Sequence, residues 1–220
     1  METFPSKEKE YEIGLSPSLA FDILYYTINN ARSCCIKLEE AIETEDYAAE
    51  AIVSLSTSTA DQILVKINGN HNGKTTLSVW SYEEQNIEQI FTNIENQLKE
   101  ILENLNNCDA MQVQDLRSGI TILKELDRVY YYSLQGEKYR RIYFMLADSR
   151  ERLYKIMIKG RYGTFNPALI EMQTYLGMLL RHNQDALIKE PESIKVGLAA
   201  LKWKGWIIVL LKGILNLDNS

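Results

Sequence analysis

From Glu8 to Leu15 apolar and polar residues alternate, with Tyr11, Ile13 and Leu15 on one side, and a period of two predicts a half-buried strand. At Ser16-Pro17 the pattern changes. A serine before a proline reads as an N-cap followed by the first helical position. Phe21, Leu24, Tyr25 and Ile28 then follow at i, i+3, i+4 and i+7, so an amphipathic helix is expected to end near Asn29-Asn30. Four more period-two runs come next, at Cys35–Glu39, Ala49–Ser56, Gln62–Asn68 and Thr75–Ser81. Each has one apolar face, as Ile63, Val65 and Ile67 show in the third. The connection from Asn68 to Gly73, NGNHNG, is rich in residues that tolerate positive φ and predicts a hairpin. Glu84–Leu105 returns to the helical period through Ile87, Ile90, Phe91, Ile94, Leu98, Ile101, Leu102 and Leu105, a stripe long enough to cross five strands spaced about 4.8 Å apart.

Beyond Asn106-Asn107 no period-two segment remains. Met111–Leu134 reads as a helix through Leu116, Ile120, Leu123 and Leu126, closed by Gln135-Gly136. The stretch from Glu137 to Gly160 is expected to form the next, with Tyr139, Ile142, Tyr143, Leu146, Leu153, Ile156 and Met157 inward. Asn166-Pro167 restarts a helix that should reach His182; Pro191 marks a break; a last helix is expected from Ser193 to Leu215.

The pattern therefore predicts an α+β protein with a five-stranded antiparallel sheet covered by a long helix in residues 1–107, followed by an all-helical domain of about four helices in residues 108–220. YEIGLSPSLAFDIL, the strand GKTTLSVWS and the helix from Glu84 together resemble the helix-grip arrangement of START-like (Bet v 1-like) domains. The resemblance covers residues 8–105 and is one of element order, without a signature motif. It implies an apolar ligand, or an adaptor role, at the groove between sheet and helix.

Charge sharpens the division. The net charge of the 220 residues is −6, but residues 1–107 hold 7 Lys/Arg against 18 Asp/Glu, and residues 108–220 hold 17 against 12. Glu137–Gly163 alone contains eight cations: Lys138, Arg140, Arg141, Arg150, Arg152, Lys155, Lys159 and Arg161. Projected at about 100° per residue, Arg140, Arg141, Arg152, Lys155 and Lys159 share a face, which with Arg161 forms a candidate surface for anions, nucleic acid or an acidic partner. Glu137, Asp148 and Glu151 fall on the same face, four residues before Arg141, Arg152 and Lys155, in the order that favours intrahelical pairing. The neutralised face is therefore the expected state, and it suits an acidic protein surface better than a polyanion.

Other chemistry is sparse. His71 and His182 are the two histidines, no Ser/His/Asp or Cys/His arrangement is visible, and no metal-ligand spacing occurs, so no catalytic role, metal or cofactor is expected. Cys34, Cys35 and Cys108 are an odd set without CxxC spacing, which with an acidic N-terminus lacking an apolar run suggests a reducing, cytoplasmic setting. The last helix, SIKVGLAALKWKGWIIVLLKGIL, is apolar on nearly every face, yet its longest unbroken apolar run, Trp206–Leu211, falls far short of the roughly 20 residues of a membrane span. Three settings suit it: a membrane surface, the centre of the helical half, or self-association through Trp203, Trp206 and Leu210. The function expected is that of a cytoplasmic binding or adaptor protein acting through protein contacts, as a homo-oligomer or with a partner. The rival expectation is an RNA- or phosphate-binding accessory factor using the basic helix.

Overall fold

The computed structural model describes residues 99–136, 139–181 and 192–217 in full, together with Leu15, Leu19, Asp22, Ile23, Tyr25, Tyr26, Thr27, Thr92 and Asn96; elsewhere it describes only the backbone of the regular elements. The chain divides into two compact units, Met1–Asp109 with Leu215–Ser220, and Ala110–Ile214.

The expected fold class requires correction. The residues described in full are 85% helical, with no strand and no sheet among them, so they do not form an α+β fold on a five-stranded sheet. The helix-grip resemblance falls with that class, whereas the expected helical bundle fits. Five extended backbone segments, β1 (Ser6–Glu12), β2 (Ile36–Glu43), β3 (Ala49–Ser56), β4 (Gln62–Gly69) and β5 (Lys74–Ser81), run antiparallel in the order β1-β5-β4-β3-β2. Their side chains, the turn at Asn70–Gly73 and the sheet–helix groove lie outside the described residues. Alternation in a sequence identifies extended backbone; a fold class also needs a core, and the described core is built from helices.

In the first unit, α1 (Pro17–Ile28) starts at its proline, where the missing N–H is no loss to the helix. It buries Leu19, Ile23 and Tyr26, and the Thr27 hydroxyl donates to the Ile23 carbonyl at 2.6 Å. α2 (Ile87–Asn106) buries Ile101, Leu102 and Leu105, three members of the stripe read from the sequence.

The second unit contains α3 (Ala110–Leu134), α4 (Tyr139–Met157), α5 (Asn166–Arg181) and α6 (Glu190–Ile214). Leu116, Ile120, Leu123, Leu126 and Val129 repeat every three or four residues along α3, and all are buried. α3 packs on both α4 and α6, and α5 packs on α4 and less extensively on α6. Gly119 faces Leu211, and Gly197 faces Ser133, so α3 and α6 run antiparallel. A Cβ at Gly119 would lie 2.6 Å from Leu211 Cδ2, and one at Gly197 would lie 2.7 Å from Ser133 Oγ. Each helix thus supplies one notch for the other. Gly136 and Gly160, both at φ 67°, take the left-handed conformation that ends α3 and α4.

Pro191, expected to break the chain, lies in the first turn of α6, where a proline needs no carbonyl partner. Trp203 and Leu210 are buried, with Ile207, Ile208, Leu211 and Ile214 around them on the same helix. That places most of α6 in the core, and leaves Ile194, Leu198, Leu201 and Val209 as an exposed stripe. Among the described residues no helix is long and apolar enough to cross a membrane.

Candidate partner-binding groove

Three of the six cations singled out in the sequence end on carboxylates. Arg152 Nε donates to Asp148 Oδ2 at 2.5 Å, and Lys155 Nζ lies 2.8 Å from Glu151 Oε1. The i, i+4 spacing produces both pairs within α4. Glu137, the third acid expected to pair, lies outside the described residues; Arg141 donates to the Tyr132 hydroxyl at 2.6 Å with its guanidinium 3.9 Å from that ring's centroid. Arg140 lies 5.9 Å over the Phe144 ring, and Arg161 is exposed and has an interaction of its own.

Lys159 departs furthest from its expected place. α4 ends at Met157, so Lys159 lies beyond the helix, and its Nζ reaches across to Oδ1 of Asp115 on α3. Asp115 is 1% exposed and its Oδ2 has no partner among the described residues. Lys159 therefore ties the end of α4 to α3. Comparable crossties join the other helices: Lys204 to Asp127, Trp203 Nε1 to Glu171 Oε2 at 3.0 Å, and the Tyr139 hydroxyl to Glu192 Oε2 at 2.5 Å.

The residues named for self-association separate in the same way. Trp203 is fully buried, with its ring edge-on to Tyr175 at 5.2 Å, and Leu210 is 1% exposed. Trp206 is half-buried, under the Lys202 ammonium at 4.8 Å. Of the three, only Trp206 reaches the surface of the unit.

Among the described residues a cavity lies between α4 and α5. It measures about 520 Å³ and is walled by Tyr143, Ala147, Tyr154, Ile158, Leu176 and Leu180. Leu176 is buried on the α5 side, while Tyr154, Ile158 and Leu180 are about half exposed or more. Together the three form an apolar rim around the groove. The groove's polar groups are Arg150, Glu151, Lys155 and Gln173. The Lys155 hydrogen bond and then its charge hold the Glu151 carboxyl below the usual carboxylate range, so that pair is internally neutral. Arg150 is different: its Nε is buried and has no acceptor among the described residues.

Arg150, Tyr154, Ile158 and Leu180 were not distinguishable as a set in the sequence, because the second wall of the groove is supplied by a different helix. The available signal was the surplus of large apolar residues on α4 beyond those needed for one buried stripe, Phe144, Tyr154 and Ile158. Among the described residues no cluster of His, Cys, Asp or Glu could hold a metal ion. His71, His182, Cys34 and Cys35 lie outside them, and Cys108, whose thiol is pushed up first by burial and then by the Asp109 charge, donates to the Asn104 carbonyl. No protein-family model, curated protein or solved structure matches the chain.

Proposed function

We propose that the protein is a partner-binding or adaptor protein whose working surface is the α4–α5 groove. The observation that carries this reading is the groove itself, about 520 Å³ in volume, with Tyr154, Ile158 and Leu180 presented to water around it. Closing such a surface under a partner removes apolar area from water at roughly 25 cal/mol per Å², and the rigid helices on either side need little reordering to receive it. Engagement of Arg152, Lys155 and Lys159 by carboxylates favours a protein partner over a phosphate backbone. The setting we propose is the reducing cytoplasm, in keeping with an odd cysteine count.

A photoreactive side chain in place of Ile158 tests the reading in cells. It should give protein adducts that a second substitution, Leu180→Lys, removes, while the same probe in place of the exposed Arg117 on α3 should not give them. Adducts of lipid or nucleic acid alone, or protein adducts insensitive to Leu180→Lys, would end it.

A further inference from the structure

We propose that the groove's occupant is an amphipathic helix of a partner protein that carries a carboxylate among its apolar anchors, seated on the guanidinium of Arg150. The proposal rests on the α4–α5 groove being the working surface and adds the chemistry of what fills it. Arg150 is always charged, its Nε is buried, and no described acceptor reaches that nitrogen. That nitrogen is itself out of a ligand's reach, but the residue lines the groove and no carboxylate pairs with its guanidinium among the described residues, so a ligand carboxylate supplies the counter-charge that the free groove lacks. The neighbouring acids cannot serve: Glu151 is held by Lys155, and Asp148 by Arg152. Tyr143, Ala147, Leu176 and Leu180 line the same groove, and covering them weakens competition by water.

The shape of the groove argues for a helix over a small molecule. Its α4 wall extends from Tyr143 to Lys155, roughly 18 Å at 1.5 Å per residue, with Ile158 just beyond the helix end, a length that suits a helix of three to four turns. Small-molecule sites enclose most of their ligand, whereas here Tyr154, Ile158 and Leu180 stand 50%, 63% and 49% exposed and need a cover that reaches beyond the cavity. Two neighbouring helices offer ridges and grooves into which a third packs with anchors at i, i+3 or i+4, and i+7.

The experiment is a displayed library of helical peptides of about 16 residues, with leucines at that spacing and every amino acid at the central position of the apolar face, selected on the intact chain. Asp and Glu should be enriched at least about tenfold over Asn and Gln at that position. Changing the central Glu of a selected peptide to Gln should weaken its binding by a similar factor on the unaltered protein, a comparison that does not depend on any variant folding. Arg150→Gln should abolish the acid preference, and Leu180→Lys should abolish binding. Selection without an acidic preference, a preference that survives Arg150→Gln, or no peptide retained would overturn the proposal. So would binding of added laurate, with no peptide bound, that Leu180→Lys abolishes, or a dimer in sedimentation velocity that Leu180→Lys dissolves. If protein adducts form at position 158 but no acidic preference is found, the groove remains the working surface and only the carboxylate is lost.

Discussion

Two ion pairs, Asp148–Arg152 and Asp115–Lys159, differ greatly in what they hold. Asp148 and Arg152 are 49% and 40% exposed, so their attraction is screened by water and is worth about 0.2–1 kcal/mol. Asp115 is 1% exposed, and removing its partner leaves a carboxylate buried without compensation. Lys159→Met should therefore destabilise the second unit by about 3 kcal/mol, against less than about 1 kcal/mol for Arg152→Met, as read from urea unfolding followed by circular dichroism. Glu151 gives a pH counterpart. Its folded pKa is depressed by Lys155, so whatever the pair contributes is present above the ordinary carboxylate pKa and is lost as pH falls through the depressed value. NMR titration should show the Glu151 carboxyl ionising below its ordinary value, and Lys155→Met should return it there. The Asp148–Arg152 and Glu151–Lys155 pairs were legible because both partners sit on one helix. Lys159–Asp115 was not, because it spans 44 residues and depends on where α4 stops.

The helices of the second unit could be read from the sequence because a repeat of three or four apolar residues needs no knowledge of the neighbour. Their mutual placement could not. Trp203 and Leu210 carried the same local signal as the exposed Leu198 and Leu201, since α6 is apolar on most of its circumference and only packing against α3 and α5 decides which side is covered. Pro191 read as a break because proline stops a helix from within, yet it also starts one. The expected sheet failed as the basis of the fold class for a related reason: alternation specifies how backbone extends, and is silent on which surfaces form the core. Close approach of α3 and α6 at Gly197 yields a prediction at this scale. Gly197→Val must push against Ser133 Oγ and the Tyr130 ring, 2.7 and 3.4 Å from the added Cβ, and should lower stability by about 1–3 kcal/mol in thermal or urea unfolding. An equal-sized change at the exposed Gly213 meets nothing within 4 Å and should cost only its helix-propensity difference, if any.

For the molecule as a whole, charge is the property most easily misread. The excess of cations in residues 108–220 invites a polyanion, but Arg152, Lys155 and Lys159 already end on carboxylates and Arg141 on a phenol. Binding of a single-stranded oligonucleotide, followed by fluorescence anisotropy at about physiological salt, is expected to be weak, and Arg152→Glu with Lys155→Glu should change it less than about threefold. A tight, steeply salt-dependent complex that this double change abolishes would restore the basic helix as a nucleic-acid surface.

The pairing of α3 with α6 also sets a clock. These two helices, the most extensively packed pair of the unit, are its first and last in chain order, and the Lys204–Asp127 tie between them spans 77 residues. At roughly 5–20 residues per second, a ribosome takes about 4–15 s to make the chain between them. Throughout that interval the α6-facing seam of α3, with the notch at Gly119, has no native cover. The last helix to be synthesised is the one that seals the first, so the nascent unit presents its seam to chaperones before it can close it.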